Sequence, residues 1–462
     1  MTSPAGRRSA LLTAALGSSL APFMVAGLFV AVPTVGIDFA IDPATLSWVP
    51  TAFFLAAAMF LVPFGRIADI YGVKKVFTTG MYVYAVSALL AAFAPSAQVL
   101  IGARFLTGIG AAMIFGTSFA LLSLVLPEGE RGTALGTNIA ASYTGFALGF
   151  LLGGILTAYV SWRAIFLATV PVELLVIWLI RTRLTGECAL SSGRHLDVPG
   201  IMLNVVMLLL VMVGFSSLPA TPGVLALLLG GIFLIVFVVW ELRSESPILD
   251  LRFMARNRAF ARSAASMLIY SIATFAGIYL FSLYLQYIRG FSPDTVGLVL
   301  LVSTLITAVL VRSSGKLADR TRPHAVAAGG VVISATALFP LTGLSATTSL
   351  VVVFAALALL SAGLAFYQPP IYSAAIGTTA PEMYAASSGL IETMRLLGMT
   401  ISMAVTIIVF SLYFGGAAIA AESASLLVAS MRQIFLIFLV LAVIALVVTV
   451  LAGRAAASRR TE

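Results

Sequence analysis

The chain has 462 residues, 61% of them hydrophobic and 9% charged. An ordinary soluble domain is roughly 25% charged, so this composition excludes a water-facing surface; the solvent expected is a lipid bilayer. A net charge of +9 raises nucleic acid as a partner, but the basic residues are spread over many short loops rather than gathered in one patch, which excludes it.

Within a bilayer the backbone must satisfy its own hydrogen bonds, and solid apolar runs of about 20 residues do that as helices, not as alternating barrel strands. The first run begins after Arg7 and Arg8 and continues to Val35, past the h-region of a cleavable signal, so it reads as a first span near 11–34. Further spans follow near 46–64, 76–94, 98–126, 134–159 and 164–181. A basic loop with Arg181, Arg183 and Arg194 leads to two more, near 198–217 and 223–241. A second basic linker, Arg243 to Arg258, precedes spans near 259–286, 293–311, 323–343, 348–368, 385–413 and 431–453. The expected fold is all-α and polytopic. It has a six-helix bundle in 1–182, a linker with two additional spans in 183–258 and a second six-helix bundle in 259–462.

With both termini placed in the cytoplasm, twenty-one Lys and Arg fall on the inner side, three on the outer side (Arg163, Arg289, Arg432) and two, Arg104 and Arg395, inside spans. That bias supports a multi-pass cell-membrane protein with an even number of spans.

The single cysteine, Cys188, cannot form an internal disulfide, and the two histidines, His195 and His324, read as lying in polar loops far apart, so no metal site is expected. No nucleotide loop of the Gly-x-x-x-x-Gly-Lys-Ser/Thr type occurs, nor a Ser/Lys, paired Asp or His-Glu-x-x-His constellation. Neither a cofactor nor an enzymatic activity is expected.

The loop after the second span reads Gly65-Arg66-Ile67-Ala68-Asp69, and the one after the second span of the last six reads Gly315-Lys316-Leu317-Ala318-Asp319-Arg320. Two six-helix halves carrying the same loop at the same place indicate a duplicated transporter with its substrate site between the halves. These residues resemble the major facilitator superfamily, and within it the fourteen-span drug/proton antiporter family, over essentially the whole chain. Gly65, Ala68, Asp69, Gly72 and Lys74 fit the family's loop motif. Leu100, Arg104, Gly108, Gly110, Ala111 and Ala112 are similar to its fourth-span motif, with Thr107 in place of Gln. Gly145, Gly149, Gly153 and Gly154 resemble its fifth-span motif, with Phe150 in place of Pro. The acid that the antiporters carry in the first span, seven residues before the Ala of Ala31-Val32-Pro33, is here Met24.

The resemblance implies efflux of small amphipathic or lipophilic compounds, cationic ones among them, by alternating access coupled to protons, in a monomer. The alternative within the same fold is a proton-independent facilitator or a flippase for lipid-like molecules, which the loss of the first-span acid favours. The resemblance also implies that Asp69 braces a cytoplasmic gate against span 13, with Gly65, Gly72, Lys74 and, in the second half, Asp319 in the same gating loops. Proton coupling then falls to other ionisable groups within spans: Glu173, Glu392, Arg104 and Arg395. Burial favours the neutral form of a carboxyl group, as a proton carrier needs. The i,i+3 spacing of Glu392 and Arg395 argues instead for a permanent ion pair, and the sixth helix of this fold usually lies at the periphery. Gly145, Gly149 and Gly153 recur every four residues and share one face for close helix approach. Spans 9 and 12 are crowded with aromatic and amide groups, of which Tyr279, Gln286, Tyr367 and Gln368 are the candidates for lining a substrate cavity.

Overall fold

A computed structural model describes residues 4–125, 131–183, 196–218, 220–244, 247, 251–379, 384–415, 417 and 423–461. The first six helices are α1 (Pro4–Phe39), α2 (Pro43–Tyr71), α3 (Val73–Ala92), α4 (Ala97–Val125), α5 (Arg131–Tyr159) and α6 (Arg163–Arg183). Then come α7 (Val198–Ser216), α8 (Thr221–Arg243) and the short α9 (Leu251–Arg256). The last group is α10 (Arg258–Thr274), α11 (Ala276–Leu283), a π-helical turn Tyr284–Ile288, α12 (Pro293–Arg320), α13 (Pro323–Leu341), α14 (Leu350–Ile376), α15 (Tyr384–Phe414) and α16 (Ala424–Thr461). Among the described residues, 14 stretches are long and apolar enough to cross a membrane, with α10, α11 and the π turn forming one of them.

The two halves use the same packing scheme. In the first, α1 packs on α5 and α6, α4 on α2 and α3, and α3 on α6; in the second, α10 packs on α15 and α16, α14 on α12 and α13, and α13 on α16. Each pairing in one half has its counterpart, in order, in the other. The halves meet through α5 against α12 and α2 against α15, two contacts that the same correspondence exchanges. The hairpin of α7 and α8 lies outside this arrangement. Its α7 rests on the seam between α2 and α15, whereas α8 packs on α7 and presents Leu228, Ile232 and Ile235 outward.

Helix ends follow local chemistry. Asp42 caps α2 by accepting from the amides of Ala44 (2.9 Å) and Thr45 (3.0 Å), with Pro43 in the first turn. Gly72 alone separates α2 from α3, at φ 112°, a conformation that a side chain would strain.

Four prolines set a second pattern. A helical proline has no amide hydrogen, so the carbonyl four residues earlier loses its donor. Pro22, Pro33, Pro63 and Pro369 leave Ser18, Phe29, Met59 and Ala365 in that position, and each oxygen accepts from a side chain of another helix. Ser142 reaches Ser18 at 3.4 Å, Ser282 reaches Phe29 at 2.6 Å, Asn204 reaches Met59 at 3.0 Å and Ser314 reaches Ala365 at 2.6 Å. In lipid an orphaned carbonyl costs several kcal/mol, so each proline in effect specifies a neighbour.

The structure corrects several expectations. The two repeated motifs, read as loops, are the last turns of α2 and α12, because Arg66, Ile67, Ala68 and their counterparts continue the helix beyond the apolar window. Span 9 is not one regular helix but breaks at Phe275 and ends in the π turn. His324 is not in a polar loop; it is the second residue of α13, buried, with Nε2 3.1 Å from Ser263 Oγ. Cys188, Arg194 and His195 lie outside the described residues.

Candidate functional site

Arg104 stands about two turns into α4 and is fully buried. Its Nη1 donates to the sulfur of Met24 at 3.0 Å, and its Cζ lies 4.7 Å from the ring centre of Phe53 and 6.0 Å from that of Phe166. Its Nε and Nη2 have no hydrogen-bond partner among the described residues. A thioether is a weak acceptor, so this charge is held mainly by aromatic faces, where a carboxylate would have formed a full ion pair. Tyr84 of α3 donates to the same sulfur at 3.6 Å and is within electrostatic reach of both Arg104 and Glu173. Glu173 is fully buried, and among the described residues its carboxyl group has no ion-pair partner and only the Thr169 hydroxyl within reach. Although α6 is peripheral, with Leu174, Leu175 and Trp178 exposed, Glu173 faces the interior of the first half.

The ionisable groups of the second half are arranged differently. Arg395 Nε donates to Glu392 Oε2 at 2.9 Å, its Nη2 donates to Glu392 Oε1, and the Tyr372 hydroxyl also donates to Oε2. The pair stays partly open, with side chains 22% (Arg395) and 29% (Glu392) exposed. Arg395 is also within electrostatic reach of Tyr143 on α5, so the pair looks across toward the first half.

At the end of the bundle remote from residue 4, hydrogen bonds tie the halves together. Ser282 Oγ donates to Phe29 O, Gln286 Nε2 to Val30 O at 2.9 Å, and the Tyr287 hydroxyl to Pro33 O at 3.0 Å. Tyr279 and Ser47 share a 2.9 Å hydroxyl contact, and the Tyr159 hydroxyl donates to Asp294 at 3.3 Å. Residues 279, 282 and 286 are spaced as one helical face, which α11 and the π turn present to α1 and α2. On the same side of the junction, α5 crosses α12 where Gly154 meets Gly297, and a Cβ on Gly154 would lie 2.8 Å from Pro293 O.

Tyr279 and Gln286 therefore occupy the seam between the halves. Tyr367 is fully buried within the second half; it stacks on Tyr270 with ring centres 3.7 Å apart, and its hydroxyl lies 2.8 Å from Ser266 Oγ. Gln368, the next residue of α14, is partly exposed. Gly145, Gly149 and Gly153 share one face against α1, at Ser19, Phe23 and Gly27, while Gly154 belongs to the α12 crossing. Phe150 is buried at that crossing, where its carbonyl would meet a Cβ on Gly297. Asp69 and Lys74 flank Gly72 from the last turn of α2 and the first turn of α3; Gly65 is helical, and Asp319 is exposed near the end of α12.

Sequence reading missed Tyr84, Ser282, Tyr143 and Tyr372. The signal for Ser282 was present as the proline at 33, but its partner could come from any helix until the packing was known.

Two six-helix halves of matching internal packing, built of helices long and apolar enough to cross a membrane and joined by ties at one end, define the class of membrane transporters made of two repeated halves. The chain belongs to the Major Facilitator Superfamily, whose family model matches residues 14–403. It is 28% identical to the multidrug resistance protein Stp of Mycobacterium tuberculosis (strain CDC 1551 / Oshkosh), over 81% of this chain and 71% of the relative. It is 30% identical to the cephamycin export protein CmcT of Amycolatopsis lactamdurans, over 87% of this chain and 84% of the relative. Its fold is similar to the crystal structure of a bacterial homologue of the human lysosomal transporter Spinster, in an inward-facing, unoccupied conformation, with TM-score 0.73, 16% identity and 98% of each chain covered.

Proposed function

We propose that the chain exports small amphipathic compounds by alternating access, driven by inward proton flow through Glu173. Similarity to a multidrug resistance protein, Stp, and to a cephamycin export protein, CmcT, supports efflux. The observation that carries the coupling is the state of Glu173: a fully buried carboxyl group that among the described residues has no ion-pair partner and only the Thr169 hydroxyl, itself donating to the Phe166 carbonyl, within reach, with Tyr84 linking it to Arg104. A carboxylate so placed costs several kcal/mol when charged and unpaired, so a change of its surroundings during transport would load and release a proton. Glu392 is the weaker candidate, because Arg395 and Tyr372 already engage both of its oxygens. The distribution of Lys and Arg supports cytoplasmic termini, which would make the Ser282, Gln286 and Tyr287 ties the outer seal.

A facilitator or lipid-like-molecule flippase is the second reading, favoured by the thioether of Met24 at the place of the antiporter acid. Proteoliposomes with an internal pH dye separate the two. Substrate-triggered proton movement that is lost in Glu173→Gln and kept in Glu241→Gln, a control in the α8 hairpin outside the two bundles, supports the proposal. Labelled compound crossing at a rate indifferent to an imposed pH gradient overturns it.

A further inference from the structure

The sequence points to amphipathic or lipophilic substrates with cations among them, and a pocket for a cation needs a carboxylate or a set of open ring faces to hold the charge. Acids on the helices that meet or line the space between the halves lie at helix ends: Asp38 near the end of α1, Asp42 capping α2, Asp69 in its last turn, and Asp294 and Asp319 at the two ends of α12. Glu392 is the one acid well inside those helices among the described residues, and its acceptor capacity is already committed. Oε1 receives Arg395 Nη2, and Oε2 receives both Arg395 Nε and the Tyr372 hydroxyl.

The guanidinium is in the opposite condition. It has five N–H donors in a planar fork, and Glu392 takes one from Nε and one from Nη2. Of the other donors, Nη1 meets the sulfur of Met399 at 3.5 Å, and the Tyr372 oxygen lies within hydrogen-bond reach of the guanidinium. Glu392 thus orients the fork with two of its five donors and leaves the other three to a thioether and a phenol oxygen, neither of which carries charge. The side chain is 22% exposed and within electrostatic reach of Tyr143 on the opposing half, so these donors border the space between the halves. An Arg fork with spare donors matches the planar oxygens of a carboxylate or sulfonate.

We propose that Arg395, held by Glu392 and Tyr372, is a substrate-binding residue that selects amphipathic compounds carrying an oxyanion, with Tyr143 on the facing wall. This rests on the export reading but not on proton coupling. A lipophilic cation would meet a donor-only surface and a neutral amphiphile would gain no charge-assisted bond, so the order of affinity is anion above neutral above cation.

The test is equilibrium binding to the full chain in nanodiscs, with empty nanodiscs subtracted. It uses three probes: 1-anilinonaphthalene-8-sulfonate, the uncharged N-phenyl-1-naphthylamine that lacks its sulfonate, and tetraphenylphosphonium. The sulfonate should bind about tenfold tighter than its neutral analogue, the scale of one charge-assisted hydrogen bond. The Glu392→Gln/Arg395→Gln double variant, which leaves no unpaired charge, should lose that preference and keep the neutral affinity. Thermal melting of the variant, within a few degrees of the parent, keeps the comparison valid; should it unfold, Arg395→Lys, which keeps the charge and removes the fork, must weaken the sulfonate selectively. Anion preference that survives the substitutions, or a cation bound tightest, overturns the subsite alone. A chain that binds none of the three overturns the export reading with it.

Discussion

Pro33 has no amide hydrogen to offer the Phe29 carbonyl one turn before it, and Ser282, from the opposite half, donates its hydroxyl to that oxygen at 2.6 Å. The bond differs from an ordinary inter-helix contact because Phe29 has no donor in its own helix to return to when the halves part. Ser282→Ala orphans the oxygen and should weaken the closed junction by about 1 kcal/mol, several-fold in the closing equilibrium. The check is the thiol-labelling rate of Ile278→Cys in a Cys188→Ser background, which should rise several-fold. Adding Pro33→Ala supplies a helical donor to Phe29 and should return the rate toward the parent. Labelling unchanged by Ser282→Ala would mean that the junction does not depend on this bond.

The same logic fixes the additional hairpin. Asn204 of α7 donates to the Met59 carbonyl, which Pro63 leaves without its helical donor, at 3.0 Å. Asn204→Leu should lower the melting midpoint of the detergent-solubilised protein by the loss of about 1–2 kcal/mol, and Pro63→Ala in the Asn204→Leu background should recover part of it. Additive losses in the double variant would show that the two positions act independently.

How much of this was legible in the sequence depends on the range of the interaction. The fourteen spans follow from runs of apolar side chains, a local property, and their boundaries slipped where polar but helix-forming residues such as Arg66 and Lys316 extend α2 and α12 beyond the apolar window. The glycine face at 145, 149 and 153 was legible as periodicity, whereas its partner, α1, was not. Arg104 and Glu173 were legible as charges in the wrong solvent. What holds them was not, because a methionine, a tyrosine and two phenylalanines in a hydrophobic chain carry no distinguishing pattern until α1, α2, α3 and α6 are packed around α4. The surroundings of Tyr367 and Gln286 were not legible for the related reason that an amphipathic ring or amide looks the same from sequence whether it lines a cavity, closes a seam or fills a core.

Met24 is the position at which that packing can be interrogated. Its sulfur accepts from Arg104 at 3.0 Å and lies 3.6 Å from the Tyr84 hydroxyl. Met24→Leu keeps volume and apolarity but removes the acceptor, and should destabilise by about 1–3 kcal/mol because Arg104 then loses its hydrogen-bond partner in the described structure. Met24→Gln, with a stronger acceptor of similar length, should match or exceed the parent in thermal melting. Equal stability of the leucine and glutamine variants would show that the aromatic faces of Phe53 and Phe166 hold the charge unaided.

Gly65 and Gly72, the two glycines that fit the family's loop motif in the first half, make opposite predictions, although the family pattern treats them alike. Gly65 is helical, and no atom lies within 4 Å of a Cβ built there, so Gly65→Ala gains helix propensity at no steric cost and should be neutral or stabilising by up to about 1 kcal/mol. Gly72 is the sole hinge residue between α2 and α3, at φ 112° and ψ 129°, a region open essentially to glycine alone. Gly72→Ala must either hold that strain, about 1–3 kcal/mol, or re-aim α3, which carries Tyr84 toward Arg104 and Glu173. Thermal melting should separate the two variants in sign. Loss of transport in Gly72→Ala with retention in Gly65→Ala would place the motif's functional demand on backbone geometry. Loss in both, with Gly65→Ala stably folded, would instead point to a close approach at Gly65 in a conformation reached during transport.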